Sequence, residues 1–160
     1  MTSVARPAPR RLASFALPSV PGNERIALAR VAETVGGLGL SPARLDKLKT
    51  AVAEATMNAI EHGNDSRAEL PVRVEVFQSG AEVIVTITDR GGRSHDGVPE
   101  NRAEVPDLDR KLDGEQSSGG WGLFLIRHMV DAVDITTRGG RHTVRLMMRI
   151  GSRDTRRGED

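Results

Sequence analysis

A two-layer α/β sandwich, with a mixed and mostly antiparallel sheet carrying its helices on one face, is predicted by three observations. Residues 72–77 (VRVEVF) and 82–88 (EVIVTIT) alternate apolar and polar side chains, the period of a half-buried strand. Between residues 41 and 62 the apolar positions Leu45, Leu48, Val52, Ala55 and Ala59 recur at steps of three and four, the stripe of an amphipathic helix. The whole chain reads strand, helix, helix, strand, strand, a long irregular segment, helix, strand, strand.

Each element has its own local reason. Residues 1–11 hold two prolines and three arginines without an apolar period, and read as a mobile arm. Residues 12–20 (LASFALPSV) suit a first strand, with Pro18 marking an edge or an end. Asn23 is placed to cap a helix through Thr34, which Gly36, Gly37 and Gly39 then close. Ser41-Pro42 opens the second helix with an N-cap hydroxyl and a first-turn proline, and Gly63 is its expected C-cap. Ser79-Gly80 turns one alternating strand into the next. Residues 92–120 contain two prolines and many charges, with only a short helical stretch near 108–112; so long an irregular segment in a compact domain is functional or mobile. Residues 121–133 (WGLFLIRHMVDAV) read as a helix, 134–137 as a short strand, Arg138-Gly139-Gly140-Arg141 as a turn, and 143–150 as the closing strand. Residues 151–160 form a charged tail. The chain is therefore one domain, 12–150, between two flexible ends.

Composition narrows the function. The 160 residues carry 23 basic and 22 acidic side chains, so no bulk field selects nucleic acid or an acidic membrane. Aromatics are 2%, too few for base-stacking platforms. There are no cysteines, which removes disulfides, thiolate metal sites and cysteine nucleophiles. No apolar run reaches the length of a membrane span and no signal peptide opens the chain, so the expected compartment is the cytoplasm. His95, His128 and His142 are scattered without ligand spacing, which argues against zinc.

Three pieces can carry chemistry. Glu54, Asn58 and Glu61 lie one turn apart on a helix face away from the apolar stripe, and His62-Gly63 ends the helix. Alone this is most often a solvated face. Read functionally, Asn58 offers a neutral oxygen to Mg²⁺, a hard cation that shares its ligands with phosphates and water. Glu54, one turn earlier, would face the same phosphates as a base. The second piece, Asp89-Arg90-Gly91-Gly92, follows an apolar strand. An ordinary turn reads the same way, but a carboxylate there can accept a hydrogen bond from the N6 amine of adenine and disfavour guanine, which presents an acceptor at that position. The third, Ser117-Ser118-Gly119-Gly120-Trp121-Gly122, runs into a helix whose free N–H groups and dipole suit phosphate. It lacks a P-loop lysine and does not follow a strand, so neither the Walker nor the Rossmann pattern applies.

Taken together and in this order, AVAEATMNAIEHGN, ITDRGG and GGWGLFLIRHMVD resemble the N, G1 and G2 boxes of the GHKL (histidine kinase-like) ATPase superfamily. Within it they look most like the anti-sigma-factor serine/threonine kinases of partner-switching modules, and the resemblance spans roughly residues 12–150. It implies the GHKL ATPase fold, ATP and Mg²⁺ as cofactors, and residues 93–119 as an ATP lid. It implies Asn58 as the Mg²⁺ ligand, Asp89 as reader of the adenine amine, and Gly91 as lining of the base pocket. Gly120 and Gly122 would bring the last helix to the phosphates, with His62, Gly92, Gly119, Trp121 and Leu123 completing the nucleotide-binding set. Glu54 would be the general base for a substrate serine.

The implied function is a serine protein kinase and anti-sigma factor that phosphorylates a STAS-type anti-anti-sigma protein and alternately sequesters a sigma factor, as a homodimer without direct contact to nucleic acid or membrane. The alternative is an ATP-binding switch that sequesters a partner without phosphorylating it. Two departures from the pattern motivate that alternative. Ser117-Ser118 stand where some members carry an arginine for the γ-phosphate, leaving Arg110, Lys111 or Arg127 as substitutes, and the G1 box reads DRGG rather than D-x-G-x-G.

Overall fold

The computed structural model describes residues 8–91 and 118–150, with backbone alone at 118–121. Strand β1 (Arg10–Pro18) leads to helices α1 (Glu24–Val35) and α2 (Pro42–Asn58). A five-residue π-helix (Ala59–Gly63) extends α2, and strands β2 (Pro71–Ser79) and β3 (Glu82–Thr88) follow. Helix α3 (Ser118–Met129) and strands β4 (Ala132–Arg138) and β5 (Arg141–Arg149) complete the described chain.

The sheet order is β1-β2-β3-β5-β4, and every strand pair among the described residues is antiparallel. The expected mixed sheet is corrected in that respect. β3 and β4 do run in the same direction, as a helical crossover demands, but β5 returns between them and pairs with both. β1 is an edge strand with its prolines at or beyond its end, and it begins at Arg10, two residues into the expected arm.

One apolar layer holds sheet and helices together. β2 turns Val72, Val74 and Val76 inward, and β3 adds Val83, Val85 and Ile87. Ala27, Val31 and Val35 of α1, Leu48, Ala51, Val52 and Ala55 of α2, and Ile126 of α3 cover them. Full burial of one such valine or leucine favours folding by roughly 1.5–3 kcal/mol. α2 is the middle helix, packing against α1 on one side and α3 on the other. Its start is fixed as the sequence predicts, with Ser41 Oγ accepting from Arg44 N at 3.2 Å and proline in the first turn. Arg44 then ties α2 to the far sheet edge through Asp131 (2.7 Å) and the Arg149 carbonyl (3.1 Å).

Several boundaries differ from the expectation. Asn23 precedes α1 but makes no side-chain cap; its Nδ2 donates to the Pro18 carbonyl at 2.8 Å, closing the turn out of β1. α3 begins at Ser118, so the glycines expected to form a turn are its first turn, and it ends at Met129 rather than running to Val133. Val133 is still a core residue, supplied from β4. The β4–β5 connection has Gly139 and Gly140 at φ 60° and 84°, the two positive values that a two-residue type I′ hairpin needs. No helix among the described residues is long and apolar enough to cross a membrane.

Candidate active site

One end of the candidate site, where the sequence places the adenine base, is built where α2 stops. The sequence predicts a plain C-cap at Gly63; instead the helix widens, and Asn64 N donates to the Ala59 carbonyl, five residues back, at 2.8 Å. A π-turn rotates the following residues relative to an α-helical continuation. Gly63 thereby comes to rest against Asp89, and a Cβ there would overlap the Asp89 carboxylate. The next residue, Asn64, is fully buried and uses its whole amide. Nδ2 donates to Ser19 Oγ (2.9 Å) and to the Leu70 and Pro71 carbonyls (both 3.1 Å), and Oδ1 accepts from Arg90 N at 2.8 Å. One side chain therefore joins the end of β1, the start of β2 and the turn after β3. Removing it would orphan several buried groups, each costing about 1–3 kcal/mol.

Asp89 is held from three directions. Its backbone N donates to the His142 carbonyl at 3.0 Å. Its Oδ1 accepts from Gly91 N at 2.8 Å and lies 3.3 Å from His142 Nδ1. Burial pushes the carboxyl above its ordinary value, while the imidazole of His142 and the Gly91 N–H pull it back. Oδ2 takes no hydrogen bond among the described residues and faces the space that Gly63 leaves open. Gly91 has φ 69°, and a Cβ on it would overlap the Gly140 carbonyl. Its glycine is thus demanded by the β4–β5 turn, a neighbour within the protein, besides the pocket-lining role that the resemblance implies.

The other end of the candidate site, where the sequence places the phosphates, is made by two helices. A Cβ at Gly122 would stand 2.9 Å from Asn58 Nδ2 and 3.0 Å from Glu54 Oε2, closer than real side chains approach. Glu54 and Asn58 therefore converge under the second turn of α3. This face is half-buried, not solvated, because α3 packs on it. Leu123 packs beside it on the core, and the first-turn backbone of α3, including Gly119, Gly120 and Trp121, stands just above. His62 is half-buried in the π-turn. Arg127 falls in the last turn of α3, at the opposite end of the helix from the glycines. Gly92, Ser117, Arg110, Lys111, the short helical stretch near 108–112 and most of the expected lid lie outside the described residues.

The structure thus gathers Glu54, Asn58 and Gly122 at one point and Asp89, Gly91 and Gly63 at another, with α2 and its π-turn spanning the two. No group of three or more His, Cys, Asp or Glu side chains suited to holding a metal occurs among the described residues. Asn58 offers a neutral side-chain oxygen beside the Glu54 carboxylate, a donor set whose chemistry fits a magnesium ion that shares its ligands with phosphate and water. Sequence reasoning missed Asn64 and His142. Asn64 closes the first motif and could have been suspected from its place before a turn. His142 gave no signal, since its partner is 53 positions away. An open hollow of about 450 Å³ on the far face of the sheet, lined by Thr88, Arg138, Gly139, Arg141 and Thr143, contains none of the predicted residues.

Comparison with known proteins gives the family and the fold. The histidine kinase-like ATPase domain family matches residues 17–148. Serine-protein kinase RsbW of Bacillus subtilis (strain 168) is 32% identical over 127 residues, covering 78% of this chain and 76% of that protein. Anti-sigma F factor of Pasteuria penetrans is 32% identical over 123 residues, 76% of this chain and 79% of that protein. Among solved structures, the SiaB–SiaC complex of Pseudomonas aeruginosa matches with a TM-score of 0.63 at 16% identity, over 87% of this chain and 90% of that one. The RsbU and RsbW domains of Rv1364c from Mycobacterium tuberculosis match at 0.59 and 19% identity over 86% of this chain, which spans 32% of that longer one. At these identities the two structures speak to the fold alone. The chain belongs to the histidine kinase-like ATPase domain family, among the relatives of serine-protein kinase RsbW and anti-sigma F factor.

Proposed function

We propose that this protein is an ATP-dependent serine protein kinase and anti-sigma factor of a partner-switching module, acting in the cytoplasm on a STAS-type anti-anti-sigma protein and alternately sequestering a sigma factor, as a homodimer. The observation that carries the reading is the convergence of Glu54 and Asn58 beneath Gly122 near the head of α3, together with a buried Asp89 set against Gly63 at the end of the π-turn. The names and identities of the relatives support it.

The residues divide the work by chemistry. Asp89 Oδ2 accepts from the adenine N6 amine, and guanine, with an acceptor there, is refused. The first-turn N–H groups of α3, free of intrahelical partners, receive the phosphates along the helix dipole. Asn58 Oδ1 would hold the magnesium ion, which when bound neutralises charge between the phosphates. Glu54 takes the proton of the substrate serine hydroxyl as its oxygen bonds to the γ-phosphorus and the bond to the bridging oxygen of ADP breaks. Adenine recognition and phosphate binding need no base, so Glu54 matters for transfer alone.

The test is incubation with ATP, Mg²⁺ and a cognate STAS protein. Phosphoserine should form on the partner, and Glu54→Gln should cut its rate by at least about a hundredfold while nucleotide affinity stays within about twofold. Full activity in that variant would remove Glu54 from the reaction. The second reading, a nucleotide-gated switch that binds its partner without phosphorylating it, is favoured by the position of Arg127 at the far end of α3. Stable ATP-dependent partner capture with no phosphoserine would establish it instead.

A further inference from the structure

Asp89 has two carboxylate oxygens, and the structure treats them differently. Oδ1 is engaged by Gly91 N and His142 Nδ1, at 2.8 and 3.3 Å. Oδ2 is turned to the opening over Gly63, where it takes no hydrogen bond among the described residues. An aspartate side chain has a broad, roughly two-fold terminal torsion, so nothing intrinsic to it fixes which oxygen points where. The Gly91 N–H constrains it from one side, through a turn. His142 constrains it from the other, from the start of β5: it sits opposite Thr137 of β4, next to the hairpin turn, and its carbonyl also receives the Asp89 N–H at 3.0 Å. The main chain of His142 thus holds the Asp89 backbone while its side chain holds the carboxylate. For Nδ1 to donate, the imidazole carries its proton on that nitrogen, which the acceptor Oδ1 favours.

We propose that His142 is a positioning and specificity-determining residue, which holds Oδ1 of Asp89 so that Oδ2 meets the N6 amine of adenine and thereby sets the preference of the site for ATP over GTP. The inference rests on the reading of Asp89 as the adenine contact. It goes further in assigning the selectivity to a pair of residues, one of which no motif contains. His142 does not touch the base. It acts through Asp89.

The test separates orientation from simple structural support. Affinities of the full chain for ATP, for GTP and for purine riboside triphosphate, which lacks the amine, are measured by titration calorimetry with Mg²⁺. Asp89→Asn, His142→Ala and His142→Asn are compared with the unaltered protein, and far-UV circular dichroism checks each fold. His142→Ala should weaken ATP about tenfold, which is about 1.4 kcal/mol, and leave the amine-free analogue within about twofold. His142→Asn places an amide N–H near the former Nδ1 and should restore most of the loss. If His142→Ala does not fold, His142→Gln, whose amide lies one methylene further out, replaces it against His142→Asn. Equal weakening of ATP and the analogue, or no weakening, would overturn the proposal while a selective ATP loss in Asp89→Asn left the base reading intact. If Asp89→Asn itself loses no selectivity, the base reading fails and the role of His142 with it.

Discussion

The two ends of the site are held by different physics. At the base end, Asp89, Asn64, Gly63, Gly91 and His142 are tied by hydrogen bonds and by backbone approaches too close for any side chain. At the phosphate end, Glu54 and Asn58 meet α3 by packing, through one glycine, and α3 is joined to β3 by a segment outside the described residues. Buried polar networks are costly to break in part, whereas a helix resting on a helix can shift by an ångström or two at little cost. In the proposed function the base end would be a fixed reader. The phosphate end would be adjustable, as a site that admits a partner's serine and releases ADP requires.

That contrast can be broken most directly at Gly63. Gly63→Ala drives a methyl into the Asp89 carboxylate, and we expect a loss of stability of about 3 kcal/mol or more together with loss of ATP binding, read by urea denaturation and calorimetry. A folded, ATP-binding variant would mean that the base end yields as readily as the other. Gly122→Ala is the matched change at the phosphate end. Its neighbours are the tips of two side chains, so the expected cost is about 1 kcal/mol, with ATP affinity reduced less than tenfold and phosphoserine formation reduced at least tenfold. Comparable losses of stability in the two variants would erase the distinction.

The smallest effect is one of pH. Because burial raises the Asp89 carboxyl, the folded state holds that proton more tightly than the unfolded chain does. Its contribution to stability is full below the unfolded value and is lost as pH rises through the raised folded value. The stability difference between the unaltered protein and Asp89→Asn should accordingly fall with rising pH across that window and level off above it, in urea titrations from pH 4 to 7. ATP binding should move the other way, since only the ionised carboxylate is purely an acceptor for the amine. A difference that rises with pH would mean that His142 and Gly91 outweigh burial.

The legible parts of the molecule were those with a local cause. Alternation located β2 and β3 to within two residues, because half-buried strands write their burial directly into the sequence. Ser41 and Pro42 announced α2 for the same reason. Where the cause was remote, sequence reasoning failed. Gly119 and Gly120 read as a turn ahead of the helix, yet they lie inside α3, and nothing local shows that Gly122 is required by side chains of α2. The apolar run through Val133 read as one helix, although Asp131 N pairs with the Met147 carbonyl as the chain turns into β4. The π-turn has no periodic signature at all. The site followed the same rule: Glu54, Asn58, Asp89 and the glycines stand in three short motifs, while His142 is meaningful only beside a residue from another strand.

The insertion of β5 between β3 and β4 bears on when the site comes into being. Asp89 and His142 are brought together by closing 53 residues of chain, and contacts so distant in sequence form late, since the entropy of the loop must be met before they reward it. A chain halted after β4 would already carry all three nucleotide-binding motifs. It would lack the strand that orients the carboxylate and the turn that rests on Gly91. In the proposed reading, the capacity to tell adenine from guanine would thus belong to the finished sheet and not to the motifs alone.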